Sequence, residues 1–458
     1  MWKIGIASCE ARLTITDRPG AHIQASIPKL EYTVSIGQLI RRHWSPTFEH
    51  GLPRRARKGC TYEAYIPDRL AGTALTMAAE VAADVADAER QIASLPARGS
   101  GLATMEALSR FLLCAEAVAS SKIEGLEVGA RRLAHAEIAQ REGWHVDDQT
   151  AKDVVGNVAA VRAAIERGSQ PNALAVEDLH TLHRTLLAGD RRFPVGEPRQ
   201  VQNWIGGSPY NPCSAEFVPP PHDKVPDLLT DLVAYVNSDD HPAVVQTALA
   251  HAQFETIHPY VDGNGRVGRA LIHIVLGRRG LAAGSVLPIS LALATRQDEY
   301  IAGLTTFRFV GRRDISDAIE AVESWLEIFA AACRRAVDDA RRLVAEYDSL
   351  IARYRSTLGQ TRPHSTVTEL LARLGELPVL TVELAAAHLG RSFEATNNAI
   401  ARLVDIGALR QSTVGRRNRV FEAIDLLELV TNAERRMASR EADTLVSPPV
   451  RRPPHRRI

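Results

Sequence analysis

The sequence lacks paired cysteines. Cys9, Cys60, Cys114, Cys213 and Cys333 are odd in number, far apart in 458 residues, and never spaced CxxC. That pattern excludes a metal-thiolate site and reads as free thiols of a reducing compartment, not a disulfide framework. Long apolar runs are missing too. The longest uncharged one, Gly280 to Thr295, is shorter than the ~20 residues of a membrane span and contains Pro288. At the N-terminus, MWKIGIASCE puts Glu10 where a secretory signal needs its apolar core. The expectation is a cytoplasmic protein with no membrane partner. Charge of one sign is also absent: Lys and Arg total 55 against 54 for Asp and Glu. No global field therefore names a partner, and any nucleic-acid surface must be local. Internal repeats are absent.

What is present is helical spacing, which makes the expected fold class mainly α. It runs through Leu70 to Ser94, LATMEALSRFLLCAEAVASS, VVGNVAAVRAAIERG and VEDLHTLHRTLLAG, then VPDLLTDLVAYVNS and AVVQTALAHAQFETI. Between the two groups, FPVGEPRQVQNWIGGSPYNPCSAEFVPPPH is rich in Gly and Pro and predicts a loop with a small β-hairpin. A long helical tract, ISDAIEAVESWLEIFAAACRRAVDDARRLVAEYDSLIARYRS, can link domains. The Pro- and Arg-rich end SPPVRRPPHRRI reads as a disordered tail.

The chemistry concentrates in HPYVDGNGRVGR, His258 to Arg269. A residue before proline is pushed out of helical geometry, so the helix carrying HAQFETI should stop near Ile257 and the next begin near Gly265 or Arg266. Gly263, Asn264 and Gly265 let backbone N–H groups converge into an anion nest at a helix N-terminus. Arg266 and Arg269, at i and i+3, share one ligand there, although the helix dipole disfavours cations at that end. Asp262 is a hard oxygen ligand suited to Mg²⁺ or Mn²⁺. His258 can accept a hydroxyl proton near neutrality. Together they describe transfer of a phosphate-containing group to a hydroxyl.

Three rival readings are weaker. GNGRVG spells a dinucleotide-binding G-x-G-x-x-G, but a helix precedes it, and LPISLALAT stands where an acid should follow. A P-loop needs Lys then Ser or Thr, and the chain has Arg269 and Ala270. A zinc site from His251, Glu255 and His258 lacks HExxH, and its second His lies past the helix end.

The twelve residues resemble the Fic domain signature HPFxDGNGRxxR, with Tyr260 in place of Phe. The resemblance extends over roughly residues 32 to 334, through GEPRQVQNWIGG, AEFVPPPH, HAQFETI and LPISLALATRQDEYIAGL. It implies a Fic-type helical bundle with a hairpin flap, and a protein adenylyltransferase moving AMP from ATP to a Ser, Thr or Tyr hydroxyl. His258 would be the base and Asp262 the ligand of Mg²⁺ or Mn²⁺. Gly263, Asn264, Gly265 and Arg266 would hold α- and β-phosphates, and Arg269 would face the γ-phosphate. Flap residues Glu216, Phe217 and Val218 would pair with the target's backbone. Tyr300 is a candidate for the adenine pocket, although relatives often carry paired tyrosines where this chain has Glu299-Tyr300.

SSKIEG, Ser120 to Gly125, resembles the family's inhibitory motif [ST]xxxE[GN]. Ser120 and Glu124 share a helix face, Gly125 is a natural stop, and the carboxylate can pair bidentately with Arg269. In some relatives that glutamate also supports removal of AMP. Downstream, TVELAAAHLGRSFEATNNAIARLVDIGALRQSTVGRRNRVFEA reads as a winged helix-turn-helix. Its wing is basic through Arg410, Arg416, Arg417 and Arg419, and Asn397, Asn398 and Arg402 can face a major groove. A docking or dimerising module fits the same pattern. The expected organisation is an extension at 1–31, an N-terminal helical region with the inhibitory helix at 32–150, and a core at 151–334. A helical linker at 335–365, the winged module at 366–431 and a basic tail at 432–458 follow. Alternatives to AMP transfer are a DNA-binding regulator whose Fic domain senses nucleotide, or a Fic-type phosphotransferase. Candidate partners are an unknown target hydroxyl, the chain itself, a second copy, or DNA.

Overall fold

In the computed structural model, residues 35–45, 58–95, 104–282, 286–312, 316–412 and 419–437 are described, and they form fifteen α-helices and seven short strands. The expected extension at 1–31 and the tail residues from 438 onward lie outside them. Among the described residues no helix is long and apolar enough to cross a membrane.

The first elements overturn an expectation. Where a helical region was predicted, Ser35–Ile36 is β1, and Gln38–Trp44 (β2) pairs antiparallel with Cys60–Ile66 (β3). CTYEAYI is rich in β-branched and aromatic residues, which pack on a pleated ribbon better than in a helix, and QLIRRHW adds Ile40 and Trp44. Helix α1 covers Ala79–Ala93, so residues 70–78 are not helical as the spacing suggested. A disulfide joins Cys60 to Cys213, with Cα atoms 5.8 Å apart. That corrects the reading of five free thiols: sequence separation of 153 residues hides a spatial pair.

Helix α2 (Met105–Ile123) starts at Thr104, whose hydroxyl accepts from Ala107 N, and α3 (Ala130–Arg141) follows. Next come α4 (Gln149–Gly168), α5 (Val176–Leu186), α6 (Val225–Val236), α7 (Ala243–Ile257) and α8 (Asn264–Arg278). Every residue of α7 is buried, which makes it the central post of the bundle. Around it pack α1, α6, α8, α10 (Gln297–Phe307) and α11 (Ser316–Leu358), while α9 (Ile289–Thr295) lies against α2 and α11, and strand β4 (Gly311–Arg312) pairs β1.

Close approach of α4 to the end of α5 depends on Gly156. A Cβ there would lie 2.2 Å from the Leu186 carbonyl oxygen. Propensity alone says Gly→Ala inside a helix stabilises by about 1 kcal/mol. The clash is with backbone, which cannot swing aside, so it dominates: Gly156→Ala is expected to destabilise by roughly 1–3 kcal/mol. Thermal unfolding checks the sign.

The C-terminal residues form α12 (Thr366–Ala372), β5 (Val379–Leu380), α13 (Val382–Leu389), α14 (Phe393–Asp405), β6 (Arg410–Gln411) and β7 (Phe421–Glu422), with strand order β5-β7-β6. Ser392 caps α14 by accepting from Ala395 N, as its position suggested. α15 (Ile424–Met437) carries the first residues of the expected tail, 432–437, as helix packed against the bundle. The module grips the start of α2 and the neighbouring α3. Thr104 donates to the Ala372 carbonyl (3.2 Å) and to Glu376 (2.6 Å). Glu422, buried in β7, accepts from Arg131 (2.8 and 3.0 Å) and contacts His135 (2.7 Å) on α3. The boundary drawn at 334/335 falls inside the continuous α11.

Candidate active site

The loop between α7 and α8 starts where His-Pro predicted. His258 caps α7 in a left-handed conformation (φ 50°, ψ 61°), unusual for a residue with a Cβ. Tyr260 is fully buried and stacks on His183 with centroids 3.9 Å apart, and its hydroxyl meets His180 Nδ1 at 3.0 Å. The extra hydroxyl relative to Phe thus has a partner. Asn264 closes the turn: Oδ1 accepts from Tyr260 N and Nδ2 donates to Tyr260 O, both 2.8 Å. Its side chain is therefore occupied, and only its backbone N–H can serve a phosphate. Gly263 takes φ 77°, and α8 begins at Asn264. His183 Nδ1 accepts from Gly196 N, so the proton sits on Nε2, which donates to the Asp262 carbonyl at 3.0 Å.

Arg266 and Arg269 are both buried in the first turn of α8. Arg266 Nε and Nη1 make no hydrogen bond, and Nη2 is 3.8 Å from Asp262 Oδ2. Arg269 donates from Nε to Ser120 Oγ (3.0 Å), and from Nη2 to Ser120 O and Glu124 Oε1 (both 2.8 Å). The expected bidentate pair is thus replaced by a shared grip, because Ser120 takes the other half of the fork. Glu124 Oε1 lies 2.0 Å from where a Cβ on Gly265 would stand, so the carboxylate rests on the nest itself. Gly125 ends the helix with φ 78°. Burial pushes the Glu124 carboxyl up, but Arg269 holds it below the usual range, so it is charged at neutral pH.

His258 is a weaker base than its type suggests. Burial, then the charges of Arg308 and Arg199, push it down to about 4, which leaves the ring neutral and proton-accepting at pH 7. Glu255 is buried against Gly268, and desolvation raises its carboxyl to about 7. His251 meets Gly268 O and the Tyr300 hydroxyl, each at 2.9 Å. That occupies both ring nitrogens and removes the zinc reading; among the described residues no group of three or more His, Cys, Asp or Glu is placed to hold a metal. Tyr300 is 3% exposed and braced by His251 and Trp325, so it is a core residue and presents no face to a base.

The flap is slighter than a hairpin: one antiparallel bridge, Ile205 to Phe217, with Ile205 N donating to Phe217 O at 2.8 Å. Pro-rich flanks remove the donors a longer ladder would need. Val218 O accepts from Tyr65 N of β3 (2.9 Å), and Arg308 lies over the Phe217 ring at 3.8 Å. Glu216 is exposed; Val218 is buried. In the C-terminal module, Asn398 and Arg402 are exposed and Arg419 donates to Asn397 Oδ1 (2.5 Å). Arg416 and Arg417 lie outside the described residues.

The residues fit a metal-bound polyphosphate. Orphaned, buried Arg266 nitrogens await an anion. Asp262 offers one half-exposed carboxylate, which suits Mg²⁺ or Mn²⁺ completed by phosphate oxygens and water. Comparison with known proteins agrees with the geometry. Residues 173–276 match the Fic/DOC family pattern, and 82–166 match the Fic/DOC family N-terminal pattern. Residues 82–166 and 173–276 thus carry the two Fic/DOC family patterns. The Fic regions hold α1 to α8, so the loop and the Glu124 helix both fall within them. Among curated relatives, the chain is 26% identical over 153 residues to protein adenylyltransferase fic-1 of Caenorhabditis briggsae, covering 32% of this chain and 27% of the relative. It is 28% identical over 203 residues to protein adenylyltransferase Fic of Drosophila willistoni, covering 42% and 39%. The chain thus spans less than half of the curated relatives it matches. A solved Fic family protein from Desulfovibrio desulfuricans covers 76% of this chain and 97% of its own, at 21% identity and TM-score 0.46.

Sequence reading missed Arg199, His183, Asn203 and Arg308. Each acts on the Fic loop through a backbone carbonyl or a charge, and such partners leave no spacing signal. The Gly-Glu-Pro-Arg run before the flap was the one local hint for Arg199.

Proposed function

We propose that this chain is a protein adenylyltransferase whose active site is held shut by its own Glu124. One observation carries the reading: two buried arginines converge on a glycine nest, one with unpartnered nitrogens and the other ion-paired to a carboxylate seated on that nest. A polyphosphate replaces that carboxylate without rebuilding the loop.

With ATP bound, the N–H groups of Gly263 to Gly265 and Arg266 would hold the α- and β-phosphates. Arg269 would exchange Glu124 for the γ-phosphate, keeping its bonds to Ser120. Asp262 would hold Mg²⁺ or Mn²⁺, which supplies charge neutralisation for the phosphates. His258, neutral at pH 7, takes the proton of a target hydroxyl. The hydroxyl oxygen bonds to the α-phosphorus as the bond to the bridging oxygen of the β-phosphate breaks, and pyrophosphate leaves. The flap around Ile205 and Phe217 would offer a strand edge to an extended target segment.

The strand order β5-β7-β6 behind α13 and α14, with Asn398, Arg402 and Arg410 exposed, supports reading the C-terminal module as a winged helix that meets DNA or protein.

Incubation of the Glu124→Gly chain and cell lysate with ATP and Mg²⁺ tests the reaction. Label at the α-phosphate is expected to enter protein and label at the γ-phosphate is not. The reverse result makes the chain a phosphotransferase, and entry of neither removes the transferase reading.

A further inference from the structure

Arg199 is 1% exposed, and its hydrogen bonds run to carbonyl oxygens rather than to a carboxylate. Nε donates to His258 O (2.9 Å) and Nη1 to Val201 O (3.1 Å). Nη2 donates to Pro220 O and, at 3.4 Å, to Ile257 O. The Arg199 backbone N–H adds Pro259 O at 2.8 Å. Burying a cation without an anion costs several kcal/mol, and burial lowers its pKa to about 10. Holding the fold together does not require such a group, because neutral amides satisfy carbonyls more cheaply. A guanidinium offers instead a rigid fork of donors that ties distant carbonyls into one geometry.

The tied carbonyls fall into two sets. Ile257, His258 and Pro259 belong to the loop that aims the His258 ring. Val201 and Pro220 stand at the two ends of the flap, either side of the Ile205–Phe217 bridge. In-line transfer requires these two segments to agree, because one carries the base and the other presents the acceptor hydroxyl. His258 also sits in a left-handed conformation that a Cβ disfavours by about 1 kcal/mol or more. Arg199 anchors its carbonyl there, and Asn203 Nδ2 adds 3.4 Å and 3.1 Å bonds to His258 O and Tyr260 O.

We propose that Arg199 is a positioning residue that sets flap and His258 in register, an inference that rests on the AMP-transfer reading above. It touches neither the nest nor Asp262, so its loss separates transfer from nucleotide binding.

The test uses Arg199→Lys and Arg199→Met in the full-length Glu124→Gly chain. Amide hydrogen exchange is expected to quicken about tenfold or more in both 201–221 and 257–260, with α4 and α11 unchanged. Binding of ATP with Mg²⁺ should stay within about threefold, while α-label incorporated into protein falls about 100-fold, the size of a misplacement near 1 Å. Lysine should not rescue, because a single ammonium cannot span the fork. Full transfer by Arg199→Lys overturns the proposal. So does faster exchange in one segment alone, or throughout the chain, which marks a scaffold role. If Arg199→Met fails to fold, the lysine variant decides. If the Glu124→Gly parent itself incorporates no label, the transferase reading fails, and the exchange measurement still decides whether Arg199 couples the two segments.

Discussion

Glu124→Gly is expected to raise AMP incorporation into protein on the order of 100-fold over wild type. The carboxylate sits on the Gly265 nest and shares Arg269 with Ser120, so on the proposed reading wild type would have to break a charge-assisted contact before ATP could seat its γ-phosphate. Such a contact contributes about 1.5–3 kcal/mol, and each 1.4 kcal/mol is tenfold. The same change should lower the melting temperature without nucleotide, because Arg269, 2% exposed at its side chain, is left as an uncompensated cation. ATP with Mg²⁺ should restore it. Acid offers no other key near neutrality. The Glu124 carboxyl lies below its usual range, so the pair's contribution is complete above the ordinary carboxylate pKa and is lost only as pH falls through the lowered value. Equal incorporation by wild type and variant would remove the latch.

His258→Ala in that open background should cut incorporation by at least about 10³-fold, leaving nucleotide affinity within severalfold. General bases contribute roughly 10²–10⁴, and no other side chain described stands ready to take the proton: Glu255 is turned against Gly268. The pH profile carries a second signature. With His258 pushed down to about 4, the neutral base persists well below the ordinary histidine value of 6.5. Activity should therefore hold from pH 8 to about 5 and fall as pH approaches 4. An acid limb near 6.5 would mean that the ring titrates in an open, hydrated site instead.

The loop's chemistry was legible because it is local: a proline ends one helix, two glycines open the next, and the ionisable groups follow at short spacing. Ser120 and Glu124 were legible for the same reason, as neighbours on one helix face. Their division of Arg269 was not, since Ser120's hydroxyl and carbonyl compete for the guanidinium only once α2 lies on α8. Tyr300 misled because an aromatic after a site reads as a platform, and His251 on a different helix is what draws it inward. The Cys60–Cys213 bond escaped because spacing carries no trace of a contact 153 residues apart. The β2–β3 ribbon escaped because residues 32–69 were grouped with the helices that begin after them, although helical spacing starts only at Leu70.

The 43 residues of α11 contain no glycine or proline and run unbroken from the bundle to the C-terminal helices. At ~1.5 Å per residue they make a spar roughly 65 Å long, which bends gently rather than folding at a joint. The two modules are therefore not beads on a string. Force applied at β7 has no slack to take up: it passes through Glu422 to α3, and through α12 and Thr104 to α2 itself. The helix that carries Glu124 is clamped at its start to the far module and at its end to Arg269, like a bolt set between a frame and its keeper.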